Sequence, residues 1–157
     1  MSIKSLESID GLSTSELYAI LTFLGLNAVK VFPEDALDAS QLDRCGDTSL
    51  ILNYQSSHEG GSHWYALVLR GSTAYIFDSL GAPPDDSVME WADKNNITLV
   101  TSTAKAQSNS SSLCGLWAVW FIYMTRRHSP ESLYKTIEKL HTYKDKTKLL
   151  SHSLYEC

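Results

Sequence analysis

Apolar and polar positions along this chain change period several times, and each change marks an element. Leu17, Ile20, Leu21 and Leu24 recur at helical spacing, which puts them on one face of an amphipathic helix. Ser13 or Thr14 can cap its start, Glu16 falls in the first turn, and Gly25 ends it. Pro33 then breaks regularity, and the acidic stretch from Glu34 to Leu42 suits a short helix. The centre switches to short apolar, β-prone runs at Ser49 to Tyr54, Trp64 to Leu69 and Ala74 to Phe77. Arg70-Gly71-Ser72-Thr73 separates the last two as a hairpin turn. These runs are nearly continuous rather than alternating, as expected of strands covered on both faces. Gly81-Ala82-Pro83-Pro84 stops the last of them. Asp85 or Asp86 then caps a helix running to about Asn95, and Ile97 to Val100 is a further short strand.

A polar loop, Gln107-Ser108-Asn109-Ser110-Ser111-Ser112, leads into the segment Cys114 to Arg127, which begins with some ten residues that are apolar on every side. That length is too short to span a bilayer, so the segment reads as a buried central helix. Pro130 and Glu131 start a last amphipathic helix carrying Leu133, Ile137 and Leu140. The expectation is an α+β fold: a small mixed or antiparallel sheet, a buried central helix, and further helices flanking it. With 157 residues the chain forms a single domain, 1–157.

Composition narrows the function classes. Apolar residues make up 43% and charged residues 20%, the ordinary globular range. The net charge of −5 argues against a protein built to neutralise phosphates, so nucleic acid is expected to be a weak partner or none. The basic residues nonetheless gather late, at Arg126, Arg127, Lys135, Lys139, Lys144, Lys146 and Lys148. They form either a solvated helix face or a contact for nucleic acid or capsid. Met1 to Asp10 carries no apolar run of the kind a secretory signal needs, and no run is long enough to cross a membrane. Three cysteines, Cys45, Cys114 and Cys157, are too few for a disulfide scaffold and indicate a reducing compartment. No Cys/His spacing suits zinc and no Gly-rich phosphate loop follows a strand.

The position of Cys114 is unusual. Most free cysteines are buried small hydrophobes, and such a cysteine would sit equally well mid-helix. A thiol at a helix start meets unpaired N–H groups and the positive end of the helix dipole, which favour the thiolate. Gly115 beside it would let a substrate backbone approach. A thiol nucleophile needs a base and the base needs an orienting group. His63 opens one strand of the hairpin and Asp78 closes the other. Reflecting the strands about the Arg70–Gly71 midpoint makes the two near cross-strand neighbours at one open end. The alternative is a strand-end surface histidine and a turn aspartate. His58, His128, His141 and His152 read as surface residues. Attack on a carbonyl develops negative charge on its oxygen, which the Cys114 N–H and a side-chain amide from the preceding loop, Gln107, could stabilise.

Three strings then stand together: Gly60-Gly61-Ser62-His63-Trp64, Tyr75-Ile76-Phe77-Asp78-Ser79-Leu80-Gly81, and Gln107 seven residues before Cys114-Gly115-Leu116. This set resembles the adenain-like cysteine proteases, the adenovirus maturation enzymes, and the wider clan that cleaves SUMO and NEDD8 precursors. The resemblance covers roughly residues 13–127. It implies that His63 is the general base, Asp78 its orienting carboxylate, Cys114 the nucleophile and Gln107 an oxyanion donor. It also implies that Trp64 packs beside the imidazole and that Gly61 belongs to the substrate cleft. Asp78 stands where adenovirus enzymes carry Glu, as in the SUMO-protease branch. Asn96 stands before Ile97-Thr98-Leu99, where the adenovirus enzymes carry the cysteine that joins an activating peptide. No disulfide-linked cofactor is therefore expected.

The resemblance implies a cysteine endopeptidase cutting at Gly-rich, Gly-Gly-type sites. Its protein substrates would be viral capsid or core precursors, and its place the virion and the infected cell. A deubiquitinase or deSUMOylase activity, acting on ubiquitin-like partners, and a catalytically inactive peptide-binding module are the alternatives. The chain is expected to be a monomer that needs no metal.

Overall fold

A computed structural model of the chain describes residues 11–37, 47–55 and 62–155. Helix α1 spans Thr14–Phe23. Ser13 Oγ accepts from the Glu16 N–H and the Glu16 carboxylate accepts from the Ser13 N–H, a complete capping box. Strand β1, Lys30–Pro33, follows, and Glu34–Ala36 adds one turn of 3₁₀ helix. The expected acidic helix is thus no longer than this turn as far as Leu37, and residues 38–42 lie outside the described part. The strand at Lys30–Pro33 was not legible in the sequence, because Pro33 reads as a breaker. Proline is tolerated there because β1 is an edge strand at its last residue.

Strands β2, Thr48–Gln55, β3, Ser62–Arg70, β4, Thr73–Phe77, and β5, Thr98–Thr101, complete a five-stranded sheet in the order β1-β2-β3-β4-β5. The two inner pairings are antiparallel and the two edge pairings parallel, so the sheet is mixed. Helix α2, Asp86–Lys94, makes the crossover between β4 and β5. It begins on Asp85, whose carboxylate accepts from the N–H groups of Ser87 and Val88. It ends in a Schellman motif: Ile97 N–H reaches the Ala92 carbonyl and Asn96 N–H the Asp93 carbonyl. Asn96, at φ 55°, is the left-handed residue of that motif, a conformation asparagine tolerates.

Helix α3, Cys114–Met124, is buried at every position from Cys114 to Ile122, as the unbroken apolarity requires. It lies across one face of the sheet together with α1, α4, Pro130–Lys139, and α5, Tyr143–Tyr155. The last amphipathic helix of the sequence reading stops at Lys139 and Leu140 is already extended. A further helix, α5, follows and buries Leu150 and Leu154, a sparse apolar set in a lysine-rich segment.

Strand β3 explains the nearly continuous hydrophobicity. Trp64, Ala66 and Val68 face α3, while Tyr65, Leu67 and Leu69 face a second cluster with Val88 and Trp91 of α2. The sheet and α3 are registered by an aromatic stack. Phe77, the last residue of β4, lies 4.9 Å from Phe121, which stacks on Tyr134 of α4. Truncating a buried phenylalanine of this kind costs about 3–5 kcal/mol. Phe77 is thereby fixed beside α3, and Asp78 is delivered at a defined place as the chain leaves the strand.

Candidate functional site

The hairpin that carries His63 turns on Gly71 and Ser72, with Arg70 opposite Thr73 and Ala66 opposite Phe77. The mirror point is one residue later than the expected Arg70–Gly71 midpoint. Position 80, not 78, therefore lies opposite His63. The ladder ends at Ala66–Phe77, and Asp78 belongs to the turn that follows. His63 and Asp78 still meet, because a two-residue shift of partner preserves the face, and diagonal neighbours are within reach of long side chains. His63 Nε2 lies 2.7 Å from Asp78 Oδ1, and both side chains are largely buried.

Burial alone would lower the imidazole pKa. The hydrogen bond to Asp78, the nearby Cys114 side chain and the charges of both outweigh it and raise His63 to about 9. With Nε2 engaged by Asp78, Nδ1 is the nitrogen left for the sulfur. Cys114 is the first residue of α3, behind Leu113, which offers no side-chain cap. The Cys114 N–H stands in the first turn of α3, where backbone N–H groups have no acceptor within the helix. The sulfur is recessed, with 7% of the residue exposed.

The turn Asp78-Ser79-Leu80-Gly81 ties this pair to the loop that precedes α3. Gly81 N–H closes the turn on the Asp78 carbonyl, and Leu80 N–H donates to Asp78 Oδ1 at 2.9 Å. The Ser79 carbonyl accepts from the N–H groups of Ala106 and Gln107. Gly81 sits at φ 69°, and a Cβ there would lie 2.5 Å from the Thr103 carbonyl oxygen, so only glycine lets the two loops come this close.

Gln107 is buried, with 4% exposed. Its Oε1 accepts from Ser79 Oγ at 2.9 Å and its Nε2 donates to the Ser111 carbonyl at 3.1 Å. Ser111 stands three residues before Cys114, so this bond ties the amide to the segment that enters α3. Lys146 of α5 donates to the Lys105 carbonyl, and Lys105 Nζ to Asn109 Oδ1, which brace the same loop. One of the basic late residues thus has an internal structural task.

Trp64 and Gly115 fall in the packed layer under α3. Trp64 Nε1 donates to the Leu12 carbonyl at 2.8 Å. A Cβ on Gly115 would meet Leu17, Leu12 and Trp64 at 3.1 to 3.4 Å. The Cβ direction of Gly115 therefore points into the core, and the missing side chain lets Leu12, Leu17 and Trp64 pack there. Gly61, Cys45, Cys157 and His58 lie outside the described residues. His128, His141 and His152 are exposed. On the far side of the His63–Asp78 pair is a cavity of about 430 Å³, whose lining includes Tyr65, Glu34, Pro83 and Pro84. Tyr65 donates its hydroxyl proton to Glu34 at 2.8 Å. Burial and the adjacent Asp85 carboxylate push Glu34 up to about 8, against the opposing effect of that hydrogen bond. Ser79 and Gly81 were missed as site residues. Their only signal was adjacency to Asp78, since a serine and a glycine after an aspartate read as an ordinary turn.

No sequence-family profile matches the chain, and no curated protein matches it by sequence. Seventeen solved chains resemble it by fold. Among them is the crystal structure of the selenomethionine form of the ASFV pS273R protease. It shares 12% identity and a TM-score of 0.70 over 95% of this chain and 68% of that one. The likeness establishes the α+β fold, a mixed sheet with helices on both faces.

Proposed function

We propose that the chain is a cysteine peptidase of the ubiquitin-like protease clan, with Cys114 as nucleophile, His63 as general base and acid, Asp78 as the carboxylate that orients the imidazole, and Gln107 as an oxyanion donor. The observation that carries this reading is the convergence on one imidazole of a 2.7 Å contact to Asp78 and of the side chain that starts a buried helix. Its fold likeness to a solved protease supports the same reading. Nothing in the fold alone requires a carboxylate, an imidazole and a thiol in line.

In the proposed reaction His63 holds the proton of the Cys114 thiol, and the sulfur attacks the scissile carbonyl carbon. The oxyanion that forms is met by the Cys114 N–H and the Gln107 amide. Collapse breaks the C–N bond, the leaving amine takes the proton from His63, and a thioester remains on Cys114. Water, giving a proton to His63, hydrolyses that thioester. The recessed sulfur favours residues without a side chain before the scissile bond, because a bulky one would hold the carbonyl away. This supports cleavage after glycine, and the processing of viral structural precursors is the corresponding role.

The test is turnover of fluorogenic Gly-Gly peptide amides, set beside ubiquitin-derived and SUMO-derived substrates. Release of fluorophore by the parent and none by Cys114→Ala is expected. Equal turnover by the two would end the proposal. Preference for ubiquitin-like substrates would move the assignment to an isopeptidase.

A further inference from the structure

Gln107 can serve an oxyanion only if its amide presents N–H and not C=O, and a primary amide has two nearly isosteric orientations. The Ser111 carbonyl can only accept, so it fixes Nε2 on its own side. Oε1 is then turned inward, where burial would leave it unpaired but for the hydroxyl of Ser79. Ser79 is itself 1% exposed, so no solvent competes for that hydroxyl. The bond to Ser111 uses one of the two amide hydrogens of Gln107, and the second is the one that would meet an oxyanion.

We propose that Ser79 is a positioning residue for catalysis: its hydroxyl pins the Gln107 amide with N–H facing the reacting carbonyl, while its neighbour Asp78 holds His63. One tight turn would thus set the base and the oxyanion donor together. The inference rests on the peptidase reading above. It differs from a purely structural role for Ser79, because the turn holds the Gln107 loop through the Ser79 backbone carbonyl, which a side-chain change leaves in place.

The experiment compares Ser79→Ala, Gln107→Ala and the double variant, by peptide turnover and by the side-chain amide resonances of Gln107 in NMR. Losing an oxyanion donor outright lowers kcat by about 10²–10³. Ser79→Ala is expected to lower kcat by about tenfold with KM unchanged, since it displaces the donor without deleting it. The double variant should be no slower than Gln107→Ala, and Ser79→Thr, which keeps the hydroxyl, should restore turnover. Losses that multiply in the double variant, or parental kcat in Ser79→Ala, would overturn the proposal. If the parent itself cleaves no peptide, the peptidase reading fails separately and the resonances decide: displaced Gln107 signals in Ser79→Ala support the pinning, and unchanged ones refute it. Should Ser79→Ala not fold, Ser79→Thr carries the test, with parental Gln107 signals supporting the hydroxyl's role and displaced ones overturning it.

Discussion

Asp78 Oδ1 accepts from His63 Nε2 at 2.7 Å and from the Leu80 N–H at 2.9 Å. One oxygen therefore anchors both the imidazole and the turn that delivers it. Asp78→Asn retains an acceptor in that place and loses only the charge. His63→Ala removes the proton carrier and should lower kcat/KM by about 10²–10⁴. Asp78→Asn should lower it less, and steady-state kinetics on one peptide would rank the two. A ranking in the opposite order would mean that the charge of Asp78 matters more than the hydrogen bond it accepts.

Stability should fall as pH rises from acid to mildly alkaline. His63, near 6.5 when unfolded, is raised to about 9 in the fold. Its contribution is complete below 6.5 and is lost as pH climbs through 9. Glu34 is raised from 4.5 to about 8. A carboxyl shifted upward disfavours the fold progressively between those values, since the unfolded chain ionises first. Denaturation midpoints in urea across pH 5 to 10 should show both, and Glu34→Gln should gain stability over the parent at pH 7 but not at pH 4.5. An unchanged pH profile in Glu34→Gln would remove that carboxyl from the account.

Gly81→Ala should destabilise the chain. The left-handed backbone costs a non-glycine residue about 1–2 kcal/mol, and the new Cβ would have to displace the Thr103 carbonyl, 2.5 Å away. Since Thr103 lies in the loop that carries Gln107, turnover should fall even where the variant is folded. A parental denaturation midpoint would show that the two loops are free to separate.

Tyr134→Phe offers a contrast. The hydroxyl donates to the buried Ile76 carbonyl at 2.8 Å, joining α4 to β4, and the substitution keeps the ring that stacks on Phe121. Losing that hydrogen bond should cost about 0.5–1.5 kcal/mol, read as a lower midpoint with kcat unchanged at low temperature. A loss of kcat in the folded variant would mean that α4 influences the site.

The reading of His63 with Asp78 shows how far sequence reasoning reached and where it stopped. The hairpin and its open end were legible from two apolar runs about one polar turn. The register was wrong by two positions, because a mirror point one residue along the loop leaves the pattern of apolar positions compatible. The pair survived that error through face parity. Gln107 was legible only as a member of a set with Cys114 and His63. That its oxygen would find the Ser79 hydroxyl depends on two loops meeting, and nothing in either loop's composition encodes the meeting.

What the chain order determined by itself was local: the helix start at Ser13 or Thr14 with Glu16 in its first turn, the all-apolar helix behind Cys114, and the doubly covered strand at Trp64 to Leu69. Each follows from periodicity and backbone preference within a few residues. What tertiary structure decided was non-local: the edge strand at Lys30–Pro33, the fifth helix over a lysine-rich segment, the inward face of Gly115, and the joining of Asp78 and Ser79 to opposite halves of the site. These depend on surfaces that exist only once the sheet and α3 have packed, and contact energies between distant residues leave no period in the sequence.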